Sequence, residues 1–295
     1  MRRSIHFVPG GNEKMFSKAL TLPADSLILD LEDSVTSQNK ESARGEVCEW
    51  LRSADFGHRE KLVRVNPLDS DWGRQDLEAI VASRPDGIVV PKVLDAKSVN
   101  AVSELIKSKE QEQGLAENSI SLLLIGTEEA GAVFNLPTMV NHSRVDGLTW
   151  GAEDLSVSLG ARAKRDEQGN YLEVFSFVRS MCLLAAVAAQ VQPIDAVYVD
   201  IKNLKGLRRE CKTAADMGFT GKLTIHPDQI DIVNEAFTPS AHEISEATAL
   251  LAAFDEHQKQ GKMAFQYNGA MVDVPHLKRA RQILAIAARI SGQAS

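Results

Sequence analysis

Eight short apolar runs punctuate this chain, at Ser4–Val8, Ser26–Leu31, Leu62–Asn66, Gly87–Lys92, Ser121–Thr127, Gly147–Ala152, Ala196–Asp200 and Lys222–His226. Most are apolar without a break rather than alternating. Strands buried on both faces read this way, as in a parallel sheet covered on each side. Segments with helical spacing lie between them: Glu13–Leu20, Asn39–Arg52, Gly73–Ser83, Asp95–Glu112, a short one at Glu129–Asn135, a long apolar one at Tyr171–Gln190, then Leu204–Met217 and Pro227–Ala236. Eight strands alternating with eight helices predict an α/β chain folded as a (β/α)8 TIM barrel. A doubly wound open sheet is the rival, but it seldom needs eight evenly spaced units.

The barrel is expected over residues 1–238, with a C-terminal helical extension and lid over 239–295. Within the extension, Ser240–Gln260 predicts a helix opened by Pro239 and Ser240, with Glu243 as the capping-box partner of Ser240. Pro275–Ile290 predicts a final amphipathic helix with Pro275 in its first turn. Between them, Lys262–Val274 contains glycine and carries Phe265, Tyr267 and Met271, as a lid or an interface segment does. Arg162–Gly169 reads as a charged surface loop.

Lys and Arg number 33 against 40 Asp and Glu, and the net charge of −7 argues against a nucleic-acid partner. An anionic substrate stays open, because a local cluster overrides the net sign. Cys48, Cys182 and Cys211 are widely spaced and form no Cys-x-x-Cys pair, which argues against a disulfide framework or a zinc site. The apolar run after Met1 is broken too early for a signal peptide. No stretch approaches the ~20 apolar residues that cross a bilayer. These features predict a soluble protein of a reducing compartment, the cytoplasm, with no membrane partner.

In a barrel, chemistry gathers at the C-terminal ends of the strands. Two of the apolar runs end in paired acids, Glu128-Glu129 and Glu153-Asp154. A buried strand that stops at a carboxylate is costly unless the charge is compensated. A divalent cation between two strand ends compensates it, since Mg²⁺ takes one or two carboxylates plus waters and substrate oxygens. Glu128 and Asp154 are the candidate pair; the plain alternative is two acids in helix first turns.

The second run ends in Asp30, Glu32 and Asp33, acids that can hold metal-bound waters or orient basic residues. The third ends in Arg64, which needs either these acids or an anionic ligand. Lys92 ends the fourth, as a counter-charge or a Schiff-base lysine. The Pro9-Gly10-Gly11 turn before Asn12 either lets backbone approach a phosphate or is a plain tight turn. His226 ends the eighth run as a metal ligand, a base, a cap or a ligand contact.

Four stretches then occur in order: Leu29-Asp30-Leu31-Glu32-Asp33-Ser34-Val35, Val63-Arg64-Val65-Asn66-Pro67, Gly151-Ala152-Glu153-Asp154-Leu155 and Ile225-His226-Pro227-Asp228-Gln229. Together they resemble the citrate lyase beta-subunit-like family of the HpcH/HpaI aldolase/citrate lyase superfamily, on the side of the citramalyl-CoA and malyl-CoA lyases. The resemblance runs from Arg3 to Ile290. One departure is that Gly126 and Thr127 separate Ile125 from Glu128, where many relatives have the glutamate directly after the isoleucine.

The resemblance implies a (β/α)8 barrel, usually trimeric, that binds Mg²⁺ and a coenzyme A thioester. It also implies cleavage of a 3-hydroxyacyl-CoA into acetyl-CoA and an α-keto acid. By motif position, Glu128 and Asp154 are the implied metal ligands and Arg64 the implied substrate-binding arginine. Gly269-Ala270-Met271-Val272-Asp273-Val274-Pro275 resembles the segment that carries the catalytic aspartate. Asp273 is therefore its candidate, completing the site of a neighbouring subunit in a homo-oligomer, a trimer or a hexamer.

The chemistry agrees with that assignment. A substrate with hydroxyl and carboxylate on one carbon can chelate the metal, which polarises the emerging keto group. Arg64 can stabilise the enolate oxygen on the acetyl-CoA side, and Asp273 can exchange a proton at the acetyl carbon. Substrate contacts are expected from Asp30, Glu32, Asp33, Arg64 and Glu128, with Pro9, Gly10, Lys14, His226 and Pro227 near the CoA moiety. Three rivals stand beside the lyase: a malyl-CoA-type thioesterase, a citrate lyase beta-like subunit acting on an acyl-carrier thioester, and a non-catalytic CoA- or partner-binding barrel.

Overall fold

A strand apolar on both faces needs cover on both, and the eight runs supply part of it by closing on one another. The computed structural model describes residues 1–259 and 263–293. Its strands are β1 (Ser4–Pro9), β2 (Ser26–Asp30), β3 (Glu60–Arg64), β4 (Gly87–Val90), β5 (Ser121–Ile125), β6 (Val145–Thr149), β7 (Gln192–Asp195) and β8 (Gly221–Thr224). They pair in sequence order, all in parallel, and β8 pairs back onto β1 to close the barrel. The lumen is packed by Ile5, Ile28, Leu62, Val89, Leu123, Ile125, Ile194 and Leu223.

Alternate residues point outward and meet the helices. These are α1 (Glu13–Ala19), α2 (Lys40–Ser53), α3 (Gly73–Ala82), α4 (Ala96–Glu112), α5 (Leu136–Met139), α6 (Ala152–Ser158), α7 (Glu173–Ala188), α8 (Leu204–Met217) and α9 (Ile230–Ala236). Leu27, Leu29, Val63, Ile88, Leu122 and Leu148 join the helices' buried faces in one continuous outer core. Arg2 closes the far end of the barrel through two carboxylates, Glu60 at 2.6 Å and Asp146 at 2.6 Å.

Several expected boundaries move. The seventh strand is Gln192–Asp195 rather than Ala196–Asp200, so Asp195 and not Asp200 ends it. Gln192 and Pro193 interrupt the apolar pattern there, yet the strand still pairs with β6 and β8. The sixth strand stops at Thr149, and Ala152 instead opens the short helix α6. The fifth helical segment is a 3-10 turn, Ala130–Asn135, running into α5.

The chain divides into two compact units, residues 2–234 and residues 235–295 together with Met1. In the second unit, α10 (Ala241–Lys259) and α11 (Val274–Gln293) flank an antiparallel hairpin of β9 (Phe265–Tyr267) and β10 (Ala270–Val272). Ser240 and Glu243 form the expected cap, with a 2.8 Å bond from the Ser240 N–H to the Glu243 carboxylate. The expected lid segment is thus largely a hairpin. Asn268 and Gly269 turn it with φ of +49° and +83°, a type I′ geometry that only such residues adopt readily. Phe254, Phe265, Val272 and Leu277 form this unit's own core. Gln260 and Lys262, the expected helix end and lid start, lie outside the described residues. Among the described residues, no helix is long and apolar enough to cross a membrane.

Candidate active site

A cavity of about 730 Å³ opens at the C-terminal ends of the strands in the barrel unit. It is walled by Pro9, Lys14, Asp30, Asp33, Arg64, Glu128, Asp154, His226 and Pro227, which are nine of the residues the sequence singles out. Gly10 and Glu32 lie just behind this wall. Gly10 donates to the Asp30 carbonyl at 2.8 Å, and a Cβ added there would meet that oxygen at 2.7 Å. Close packing against β2 therefore explains why this position is glycine.

Arg64 is pinned at the wall. Its Nε and Nη2 donate to the two oxygens of Asp30 at 2.7 and 2.8 Å, a bidentate pair. Its Nη1 faces Glu32 at 2.9 Å and Asp33 at 3.5 Å, and its guanidinium sits 4.8 Å from the centre of the Phe7 ring. The ion-pair reading of Arg64 is realised, and the residue still borders the cavity. Burial works against the charge of Asp30, but the bonds from Arg64 outweigh it and hold the carboxyl below the usual range.

Lys92 is a counter-charge. Its ammonium meets Glu32 at 2.5 Å and lies 3.7 Å from Asp33, and these contacts raise its pKa against the effect of burial. The Schiff-base alternative needs a lysine that loses its proton readily, the opposite tendency. With φ of +52°, Lys92 turns its backbone N–H onto Glu128 at 2.5 Å.

Glu128 is 2% exposed, whereas its neighbour Glu129 is exposed and takes a bond from Ser158. Burial, and then the charges of Glu32 and Asp154, push the Glu128 carboxyl up to about 8 despite the Lys92 N–H. Asp154 enters the same cavity from the first turn of α6. Five carboxylates (Asp30, Glu32, Asp33, Glu128, Asp154) thus face Arg64 and Lys92, with Lys40 behind them on the Leu31 and Glu32 carbonyls. One buried oxygen, Glu32 Oε2, receives no hydrogen bond, since Arg64 stands beside it off the bonding direction.

This donor set fits a hard divalent cation. Two carboxylates, Glu128 and Asp154, share one cavity, and no group of three metal-binding side chains occurs among the described residues. Mg²⁺ needs no more than that from a protein.

His226 is a cap. Its Nδ1 accepts from the Asp228 N–H at 3.3 Å, and Gln229 completes a capping box around Pro227–Gln229. Two lining residues escape the sequence pattern. His6 hides inside the first apolar run, bonded to Thr224 at 3.0 Å, and burial together with the charge of His226 lowers its pKa to about 4. Trp150 looks like strand packing, yet it lines the cavity and donates its indole N–H to Asp195 at 2.8 Å.

Asp273 lies in the second unit, at the junction of β10 and α11. Its Oδ1 is 2.7 Å from His276 Nδ1, and its backbone N–H is 3.3 Å from the same nitrogen. At 2.7 Å the carboxyl oxygen and the ring nitrogen need one proton between them, whichever of the two carries it.

The profile of the HpcH/HpaI aldolase/citrate lyase family matches residues 3–227. The chain belongs to that family of enzymes. Among curated relatives, it is 37% identical over 289 residues to a (3S)-malyl-CoA thioesterase of Cereibacter sphaeroides, covering 98% of this chain and 95% of that one. It is 34% identical to the mitochondrial citramalyl-CoA lyase of Rattus norvegicus, covering 98% and 87%. Among solved structures, the CitE protein of Mycobacterium tuberculosis, in complex with magnesium, acetoacetate and coenzyme A, superposes with a TM-score of 0.80 at 32% identity, covering 97% of each chain.

Proposed function

We propose that this family member is a Mg²⁺-dependent carbon–carbon lyase. Its substrate would be a short 3-hydroxyacyl-CoA with a free carboxylate, of the citramalyl-CoA or malyl-CoA type, and its products acetyl-CoA and an α-keto acid. The observation that carries this reading is the joint placement of Glu128, Asp154 and the pinned Arg64 around one cavity. The magnesium and coenzyme A bound to the Mycobacterium tuberculosis relative support it.

Glu128 and Asp154 would hold the ion, which would supply Lewis acidity to the hydroxyl and carboxylate oxygens of the substrate. Glu128 gives up the proton that burial helps it keep, and its charge becomes half of the binding site. Asp30 fixes Arg64 in one orientation, so the guanidinium is preorganised for the oxygen that gains charge on the acetyl-CoA side. Glu32 and Lys92 keep the surrounding charges immobile. Asp273, from a neighbouring subunit of a homotrimer or hexamer, exchanges the proton at the acetyl carbon, and His276, 2.7 Å from its carboxyl oxygen, orients it. Pro9, Lys14, His226 and Pro227 border the CoA end of the cavity.

A second reading is a malyl-CoA thioesterase, favoured by the 37% identity to a relative so named. It would use the same cavity to deliver water to the thioester. Product analysis with citramalyl-CoA and malyl-CoA, with and without Mg²⁺, separates the two. Pyruvate or glyoxylate appearing one-for-one with acetyl-CoA, and abolished by EDTA, is the expected outcome. Free CoA with intact hydroxy acid would replace the lyase by the thioesterase, and no turnover would defeat both.

A further inference from the structure

A second cavity, of about 270 Å³, lies on the outside of the barrel, with walls from α7, α8 and the loop before α7. It shares no lining residue with the strand-end cavity. Arg165, Tyr171, Arg179, Tyr198, Arg209 and Glu210 supply its polar and aromatic lining. Beneath it lie Asp195 and Lys222, both fully buried.

Positive charge outnumbers negative in this group. Asp195 accepts from Arg179 at 2.9 and 2.8 Å, from Lys222 at 2.7 Å and from Trp150 at 2.8 Å. Glu210 meets Lys222 at 2.9 Å and Arg165 at 2.7 Å. Both carboxylates are therefore already shared between cations. Arg209 donates to the Gln168 carbonyl at 3.1 Å and pairs with no carboxylate among the described residues. Asp200 also acts on Tyr198, but it does not line the cavity. Three cations thus share two carboxylates around a concave space, and Arg209 is a fourth cation beside them.

The cavity is also shaped by planar groups. The Arg165 guanidinium is 3.7 Å from the centre of the Tyr171 ring and 5.3 Å from that of Tyr198. The rings hold the guanidinium in place, and its Nη1 donates to Glu210 at 2.7 Å and to the Gly169 carbonyl at 2.9 Å. Ser176, Ser180 and Thr213 also line the cavity, but their hydroxyls donate to the carbonyls of Tyr171, Ser176 and Arg209. The donors left for a ligand are guanidinium nitrogens, the chemistry that recognises oxyanions.

We propose that this outer cavity is a second ligand site, which binds a small oxyanion against Arg165, Arg179 and Arg209. The anion neutralises charge that Asp195 and Glu210 leave uncompensated. It ties α7 to α8 and to the loop at residues 162–169, so its occupancy stabilises the barrel by mass action.

The test is isothermal titration of the Mg²⁺-loaded full-length protein at constant ionic strength. Inorganic phosphate is the probe in one arm and malonate in the other. Arg64→Gln serves as background, because the strand-end cavity also attracts anions. Arg209 is exposed, so Arg209→Gln keeps the core network and the fold. We expect a binding event that survives Arg64→Gln and weakens by roughly tenfold or more in Arg209→Gln, the loss of one charge-assisted hydrogen bond. Turnover of the thioester should be unchanged in Arg209→Gln. Binding of one probe and not the other would support the site and assign it to phosphates or to carboxylates. Equal affinity in wild type and Arg209→Gln, or no event once Arg64 is replaced, would overturn the proposal.

Discussion

The strand-end cavity and the outer face of β7 are both built from buried charge, and they are unbalanced in opposite directions. At the strand ends, five carboxylates outnumber Arg64, Lys92 and Lys40. On the outer face, Arg165, Arg179, Arg209 and Lys222 outnumber Asp195 and Glu210. The difference lies in how each surplus is held. On the outer face, strong pairs hold the buried charges: Asp195 is driven down and Lys222 up, each against the effect of burial. At the strand ends, Glu128 has no cationic side chain bonded to it among the described residues, and burial drives it toward its neutral form. Paired charge builds structure, and what pairing leaves over, acid at the strand ends and base on the outer face, marks a place for a ligand.

The comparison can be broken most severely by removing one charge from each side. Glu128→Gln should cost several kcal/mol of transition-state stabilisation, roughly a thousandfold in kcat/KM, with thermal unfolding little changed. Asp195→Asn should do the reverse. It leaves Lys222 and Arg179 without their carboxylate and should destabilise the fold by about 3–5 kcal/mol in urea unfolding. If Asp195→Asn proves neutral, the outer network is not structural.

A smaller effect sharpens the contrast through pH. His6 is held neutral well below its ordinary range, so the unfolded chain binds the proton more readily than the native one. Stability should therefore fall as pH drops from about 6.5 toward 4, by on the order of 2 kcal/mol, and His6→Leu should flatten that slope. The smallest expected effect is at the Asp273 pair. His276→Leu should slow deuterium exchange into the methyl group of acetyl-CoA by about tenfold, leaving KM for the thioester nearly unchanged.

Much of the fold is legible in the sequence because its strongest signal, continuous apolar runs, is the one a parallel barrel cannot do without. The boundary at β7 is not, because Gln192 and Pro193 break the run while neighbouring strands still supply the pairing. That slip hides Asp195 and so the whole outer network, which joins residues from β6 to β8 that lie far apart in sequence. At the strand ends, Asp30, Asp33, Arg64, Glu128 and Asp154 are legible as charges where apolar runs stop. His6 is not, since one polar residue inside a strand carries no periodic signal, and the Pro9-Gly10-Gly11 turn reads as a phosphate contact or a tight turn without revealing how closely Gly10 packs on β2.

The most direct measurement is calorimetric titration of Mg²⁺ into the metal-free protein near pH 7, in two buffers of different ionisation enthalpy. Glu128 keeps much of its proton there without the ion, so binding should release a proton, and both binding and release should vanish in Glu128→Gln. Mg²⁺ binding of unchanged affinity in Glu128→Gln would contradict the account, because the surplus of carboxylates at the strand ends would then not be the cation site.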